Sequence, residues 1–287
     1  MFNKQQIFKS KIPQLPGVKY VLIYGLLAAI ALIMLIPLLW LISTALKSPS
    51  ENIFQFPPQF FPTQPTFDNF IRVWQTNPFA QYLFNSTLVA GLTVILNLLF
   101  CALAAYPLAR LEFKGRNIIF AIIVSTIMIP FQIVMIPLYI LTVQLGLKNS
   151  YLGIIFPSLA SAFGIFLLRQ AFQGVPKELE EAARMDGCSE LGIWWCVMLP
   201  AIRPALVTLA IFTFIGSWSD FLWPLIVIDQ PEYYTLPLGV ARLAGTFSLD
   251  WRLIAAGSVI SIAPILILFI ILQRYIVPSD LGSGVKG

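Results

Sequence analysis

The sequence contains no histidine. That removes Ser-His and Cys-His nucleophile couples and the commonest metal-ligating side chain. Its three cysteines, Cys101, Cys188 and Cys196, are odd in number and scattered, which weighs against a disulfide framework or a metal cluster. No G-x-x-x-x-G-K-[ST] phosphate loop occurs. The glycine-rich ending "LGSGVKG" precedes no helix whose N-terminus could hold a phosphate. The reading is a chain with no catalytic residues, no metal and no cofactor of its own. If it moves a solute uphill, the energy comes from an ion gradient or another subunit.

Charge is the other scarce commodity. Only 11% of the 287 residues are charged and 58% are hydrophobic, against about 25% charged in soluble domains. Residues 20–46, 73–109, 117–147, 149–168 and 253–273 carry no charge, and 204–228 carries only Asp220. A bilayer crossing needs about 20 apolar residues, and its backbone must bond internally, so such runs predict helices. The fold class is therefore all-α, a polytopic membrane protein with six transmembrane helices at about 20–46, 82–109, 117–142, 151–171, 204–228 and 252–276. The first is too long for a cleaved signal core and reads as a retained anchor.

Lysine and arginine orient the chain. Thirteen fall on one side: Lys4, Lys9, Lys11, Lys19, Arg110, Lys114, Arg116, Arg169, Lys177, Arg184, Arg203, Arg274 and Lys286. Five fall on the other: Lys47, Arg72, Lys148, Arg242 and Arg252. Both termini are thus placed in the cytoplasm. The tails are 1–19 and 277–287, and the membrane body is 20–276. The body contains an external loop at 47–81 and a cytoplasmic loop at 172–203. The asymmetry accounts for the net charge of +5 without nucleic acid.

The cytoplasmic loop reads "PKELEEAARMDGCSELGIWWCVMLP", 176–200. Pro176 suits a first helical position, Glu178 the positive end of the helix dipole and Arg184 the negative end. Glu180 or Glu181 can meet Arg184 at helical spacing. Gly187 supplies a stop that tolerates positive φ. Ser189 can cap a second short helix, and Pro200 and Pro204 reset the direction. The residues alone leave two readings open, a surface-lying connector or a projecting helix pair.

Glu181-Ala182-Ala183, then Asp186-Gly187, then Leu199-Pro200 resembles the EAA loop of ABC-transporter permease subunits, with Trp194 in its aromatic position. "FNSTLVAG" (84–91), "AAYPLARLEFKGR" (104–116), "GSWSDFLWPL" (216–225), "TLPLGVARLAG" (235–245) and the final "VKG" are similar to the smaller maltose-type permeases of carbohydrate importers. The resemblance runs from Tyr20 onward. Cys188, Cys196, Ser219 and the spacing of the tail glycines depart from the pattern. It implies a type I importer permease fold in a bacterial inner membrane, with partners of four kinds. These are a second homologous permease, two cytoplasmic ATPase subunits carrying ATP and Mg, an extracytoplasmic substrate-binding protein, and lipid. It also implies roles: Glu181 pairs with the ATPase, Ala182 and Ala183 pack closely, and Gly187 makes the bend.

Polar groups within the spans are candidates for a substrate path: Asn85, Asn97, Gln132, Trp218, Ser219, Asp220 and Trp223. Pro130 and Pro137 are candidate kinks. Trp at membrane interfaces and Ser or Thr between packed helices are the plainer readings. An Asp at mid-bilayer is costly, so Asp220 is expected to meet a cavity or a partner. The external stretch "FQFPPQFFPTQPTFDNF" is either a lid or, as the family implies, a dock for a binding protein. Two rival functions stay open here, an ion-driven transporter using Asp220 and an ABC permease for a non-sugar solute.

Overall fold

The computed structural model describes residues 17–244 and 250–276. The predicted tails, with Lys4, Lys9, Lys11 and Lys286, fall outside the described residues apart from the start of the first helix.

That helix, α1 (Gly17–Leu46), is apolar round its whole circumference. A short α2 (Asp68–Thr76) follows the loop predicted to be external. The Asn77-Pro78 turn separates it from α3 (Phe79–Arg110). Pro78 cannot continue a helix, so the long uncharged run after Val73 divides there. Next come α4 (Arg116–Ser125), a 3₁₀ turn at Thr126–Met128, and α5 (Phe131–Gln144). The two helices meet at 102°. Span three is therefore a broken pair. Pro130 breaks it, whereas Pro137 stays inside α5. Span four is likewise composite, with α6 (Tyr151–Ile155), a 3₁₀ turn and α7 (Ala162–Gln173) bent by 49°.

The loop helices are α8 (Lys177–Met185) and α9 (Glu190–Ile193). A π-helical turn at Trp194–Met198 and α10 (Leu199–Ala201) follow. The chain then bends 79° at Ile202 into α11 (Arg203–Ser219). The continuous fifth span expected at 204–228 is interrupted: α11 stops at Ser219, Asp220 is extended, and α12 (Leu222–Val227) resumes. Seventeen residues rise only about 26 Å, short of the roughly 30 Å hydrocarbon core. The last described helices are α13 (Leu236–Arg242) and α14 (Trp251–Ile276). Among the described residues three helices are long and apolar enough to cross a membrane, or up to six spans if each bent pair counts as one.

Two apolar cores hold the body together. One, at the end where α1 terminates, joins Ala45, Val73, Phe79, Tyr82, Trp218, Trp223 and Leu236. The other, at the opposite end, joins Cys101, Ala105 and Leu108 of α3, Leu168 and Phe172 of α7, and Leu209 of α11. It also takes in Ala183, Ile193, Trp194 and Met198 of the loop. The helices of the loop thus share a core with three spans. Gly164 permits the close approach of α7 to α3: a Cβ there would lie 2.7 Å from the Cys101 sulfur.

Candidate functional site: the EAA loop

The loop is a helix pair whose angle is set locally. Pro176 sits one residue before the first helical residue of α8, not within it. At the far end Gly187 has φ +82°. The Gly187 N–H donates to Arg184 O (3.1 Å) and the Cys188 N–H to Ala183 O (3.0 Å). This 5→2 and 6→1 pair is the Schellman arrangement that the glycine makes possible. Ser189 then caps α9, its Oγ accepting the Gly192 N–H at 3.2 Å.

The charges pair differently from the helical-spacing expectation. Arg184 reaches across the turn to Glu190, donating from Nε to Oε1 (2.9 Å) and from Nη2 to Oε2 (3.3 Å). This fork ties α8 to α9. It raises the Arg184 pKa, and the same hydrogen bonds lower that of Glu190. Glu180 turns inward to Arg110 at the end of α3, with 2.9 Å between Oε1 and Nε. An i,i+4 offset brings side chains near, but a partner from another element can outcompete it when both are buried. Both side chains are under 10% exposed. Glu181 is left exposed, without an ion pair among the described residues.

The motif residues divide accordingly. Glu181, Ala182, Asp186, Gly187 and Pro200 are exposed, and Leu199 is half-buried. Ala183 is buried in the chain's own core, so its small size serves internal packing. Leu179, Met185 and Leu191 stand exposed on the same helix pair, Met185 by 88%. Trp194 is buried at the π-helical turn.

The candidates within the spans lie otherwise. Asn85 is fully buried, and its Nδ2 donates to the carbonyls of Glu232 (2.8 Å) and Tyr234 (2.9 Å). Its Oδ1 accepts from Gln81 and from the Tyr151 hydroxyl. Asn97 donates to Ser158 O and accepts from Thr213. Trp218 donates to Ser261 O, and Trp223 to Gly153 O. These four lock the break in α11–α12 and the bent α6–α7 pair onto α3 and α14. Asp220 stands at the break, and its Oδ1 accepts the Trp223 N–H at 3.4 Å. An interrupted helix leaves N–H groups that need such an acceptor. Ser219 and Gln132 are exposed. Asn97 also borders a groove of about 300 Å³ with Thr93, Ser158, Ser161, Thr213 and Ser217.

Sequence reasoning missed Arg110, Arg169 and Glu180 as a set. Arg169 Nε donates to Leu108 O at 3.0 Å, and its guanidinium lies 3.9 Å above the Phe120 ring. Both arginines entered the sequence reading only as orienting charges. The available signal was the i,i+4 spacing of Tyr106 and Arg110, which puts both on one face of α3.

The loop after α1 is also internally tied. Lys47, buried, donates to Gln59 O at 2.6 Å. The Glu51 carboxylate accepts the N–H groups of Ser48, Thr63 and Gln64. Its slight burial acts to raise its pKa, and these hydrogen bonds outweigh that and lower it.

Residues 97–279 match the family described as "Binding-protein-dependent transport system inner membrane component". The arabinooligosaccharides transport system permease protein AraQ of Halalkalibacterium halodurans is 40% identical over 262 residues, covering 91% of this chain and 94% of the relative. Its namesake in Bacillus subtilis is 36% identical over 260 residues, covering 90% and 92%. Among solved structures, a bacterial ABC transporter involved in import of the acidic polysaccharide alginate matches with a TM-score of 0.79. There the identity is 27%, covering 91% of this chain and 97% of that one. With a helical, multi-span body among the described residues and an EAA helix pair packed onto it, this chain belongs to the binding-protein-dependent transport system inner membrane component family, the permease subunits of ABC importers.

Proposed function

We propose that this permease forms half of the membrane pathway of a carbohydrate importer and takes its energy from a separate ATPase through α8 and α9. In this reading both termini and the EAA loop lie in the cytoplasm, as the lysine and arginine asymmetry requires. The domain division is a membrane body with a coupling loop at 172–203 and an external loop at 47–81. A second related permease completes the pathway. Two ATPase subunits bear the ATP and Mg, so the chain itself is no enzyme and needs no cofactor. A substrate-binding protein delivers the solute from outside. The relatives carry arabinooligosaccharides or alginate in their names, which favours an oligosaccharide as solute.

The observation that carries the reading is the outward strip of α8. Glu181, Ala182, Asp186 and Gly187 are exposed, Leu179 and Met185 flank them, and the inward face is packed into the cores of α3, α7 and α11. An exposed carboxylate beside uncovered apolar groups suits an ATPase cleft that is complementary in shape and charge. Leu199 and Pro200 carry the movement into the 79° bend before α11. Exposed Ser219, the groove beside Asn97, and Gln132 remain proposed contacts of the pathway, whereas Asn85, Trp218 and Trp223 shape its walls. Asp220 caps α12, which supports a structural role for it over a proton relay.

Uptake by proteoliposomes tests this. Transport is expected only with the second permease, the ATPase, ATP and a loaded binding protein. Uptake driven by an ion gradient without ATP would overturn it.

A further inference from the structure

The coupling reading leaves one buried charged cluster unused, and the following inference rests on that reading. Arg110 is the last residue of α3 and Glu180 lies on the first turns of α8, with 2.9 Å between Nε and Oε1. Their side chains are 7% and 9% exposed. The two atoms meet as charges without an aligned N–H···O bond. Arg110 also donates from Nη2 to the carbonyl of Val175, just ahead of Pro176. One guanidinium therefore grips both α8 and the link that joins it to α7.

The grip is reciprocated. Arg169, on α7, donates back to the carbonyl of Leu108, two residues before Arg110. One turn before Arg110, Tyr106 packs edge-on against Phe172 of α7 with ring centroids 5.5 Å apart. Three contacts of different kinds thus converge on the last turn of α3. A cavity of about 310 Å³ opens beside the ion pair, rimmed by Arg116, Lys177, Glu181 and Arg184.

We propose that Arg110 is a positioning residue that fastens the coupling helix to span two. Displacement of α8 by the ATPase is then delivered to α3 directly, as well as through α7 and α11. Chain connectivity alone links α8 only to the spans on either side of it. The Arg110–Glu180 strut adds a third span, the longest and most deeply packed of the set. Because both side chains are under 10% exposed, the strut is stiff: separating them would leave each buried charge without its partner. It is therefore expected to stay closed throughout the cycle.

The test uses the complete importer in proteoliposomes. Arg110→Glu or Glu180→Arg alone is expected to lower binding-protein-dependent uptake about tenfold, within the range of measured coupling free energies. ATP hydrolysis should continue and lose its dependence on binding protein, a change that a purely structural role would not produce. The double reversal is expected to recover uptake several-fold over either single variant. Wild-type uptake by assembled single variants, or no recovery in an assembled double variant, overturns the proposal.

A second measurement covers the case in which charge variants do not assemble. After Cys101, Cys188 and Cys196 are replaced by serine, Arg110→Cys and Glu180→Cys are introduced together. A short bifunctional thiol crosslinker then replaces the ion pair. Uptake is expected to be higher after crosslinking than before, and loss of uptake on locking the pair overturns the proposal. A photocrosslinker at Glu181 in the otherwise unaltered complex checks the coupling reading separately. Failure to capture the ATPase would sink that reading whatever Arg110 does.

Discussion

The EAA loop and the middle of the membrane body both carry polar residues in an apolar chain, and they use them in opposite ways. In the body, Asn85, Asn97, Trp218 and Trp223 are buried with every major donor paired inside the chain. In the loop, Glu181, Asp186 and Gly187 point outward, and the pairing that sets the loop's shape is done by Arg184–Glu190 and Arg110–Glu180. A polar residue that is satisfied within the fold maintains the fold. One that is held rigidly by others and left bare is available to a partner. Burial with saturation therefore separates wall from contact better than residue type does.

The largest effect expected from this contrast is at Asn85. Asn85→Leu would strand the buried Tyr234 carbonyl and the part-buried Glu232 carbonyl and Tyr151 hydroxyl, and a buried orphan costs about 1–3 kcal/mol. A loss of about 3–5 kcal/mol should appear as a lowered unfolding midpoint in detergent, with uptake per folded molecule nearly preserved. A normal midpoint with abolished uptake would move Asn85 to the contact class.

Gly187→Leu should behave in the reverse manner. Its φ of +82° strains any side chain by about 1–2 kcal/mol, but no atom lies within 4 Å of an added Cβ. Insertion and assembly should persist while ATP hydrolysis runs without uptake. Undiminished transport would break the lever assignment.

At Asp220 the contrast is sharpened by a pair of variants. Asp220→Asn keeps an acceptor for the Trp223 N–H and should retain most uptake. Asp220→Leu removes the cap and should destabilise by about 0.5–2 kcal/mol. If Asn failed as badly as Leu, the carboxylate charge itself would matter and the role would not be structural.

The smallest effect concerns Glu190, whose carboxyl is held below its ordinary range by the Arg184 hydrogen bonds. A lowered folded pKa contributes stability that is complete above the ordinary carboxylate range and fades as pH falls through the lowered value. Wild type should slightly exceed Glu190→Gln in unfolding midpoint at neutral pH, and the difference should vanish in acid. An unchanged difference in acid would mean that Glu190 acts by packing.

Much of this was readable in advance, for identifiable reasons. Charge-free runs mark spans because lipid excludes unpaired charge. The turn at Gly187 and the cap at Ser189 were readable because each acts within a few residues of itself. Two expectations failed at the point where distance in sequence mattered. Helical spacing offers Arg184 to Glu180 or Glu181, but Glu180 pairs with Arg110, 70 residues back (180 − 110), and Arg184 with Glu190. The fifth span, continuous by its hydropathy, breaks at Asp220, and of the two candidate kinks in the third, Pro130 parts the helix whereas Pro137 leaves it intact. A proline removes one N–H wherever it sits, but whether the helix then parts depends on what packs against it.

The linear order of residues determined an all-helical, multi-span body with a short charged helical segment between the fourth and fifth spans, because hydropathy, caps and turns act locally, and the permease reading came from the resemblance of that segment to the EAA loop. Which charges meet, which alanine faces inward and which asparagines are saturated were settled only when distant elements came together. Pairing in a desolvated interior rewards contact in space, and neighbours along the chain have no privilege there.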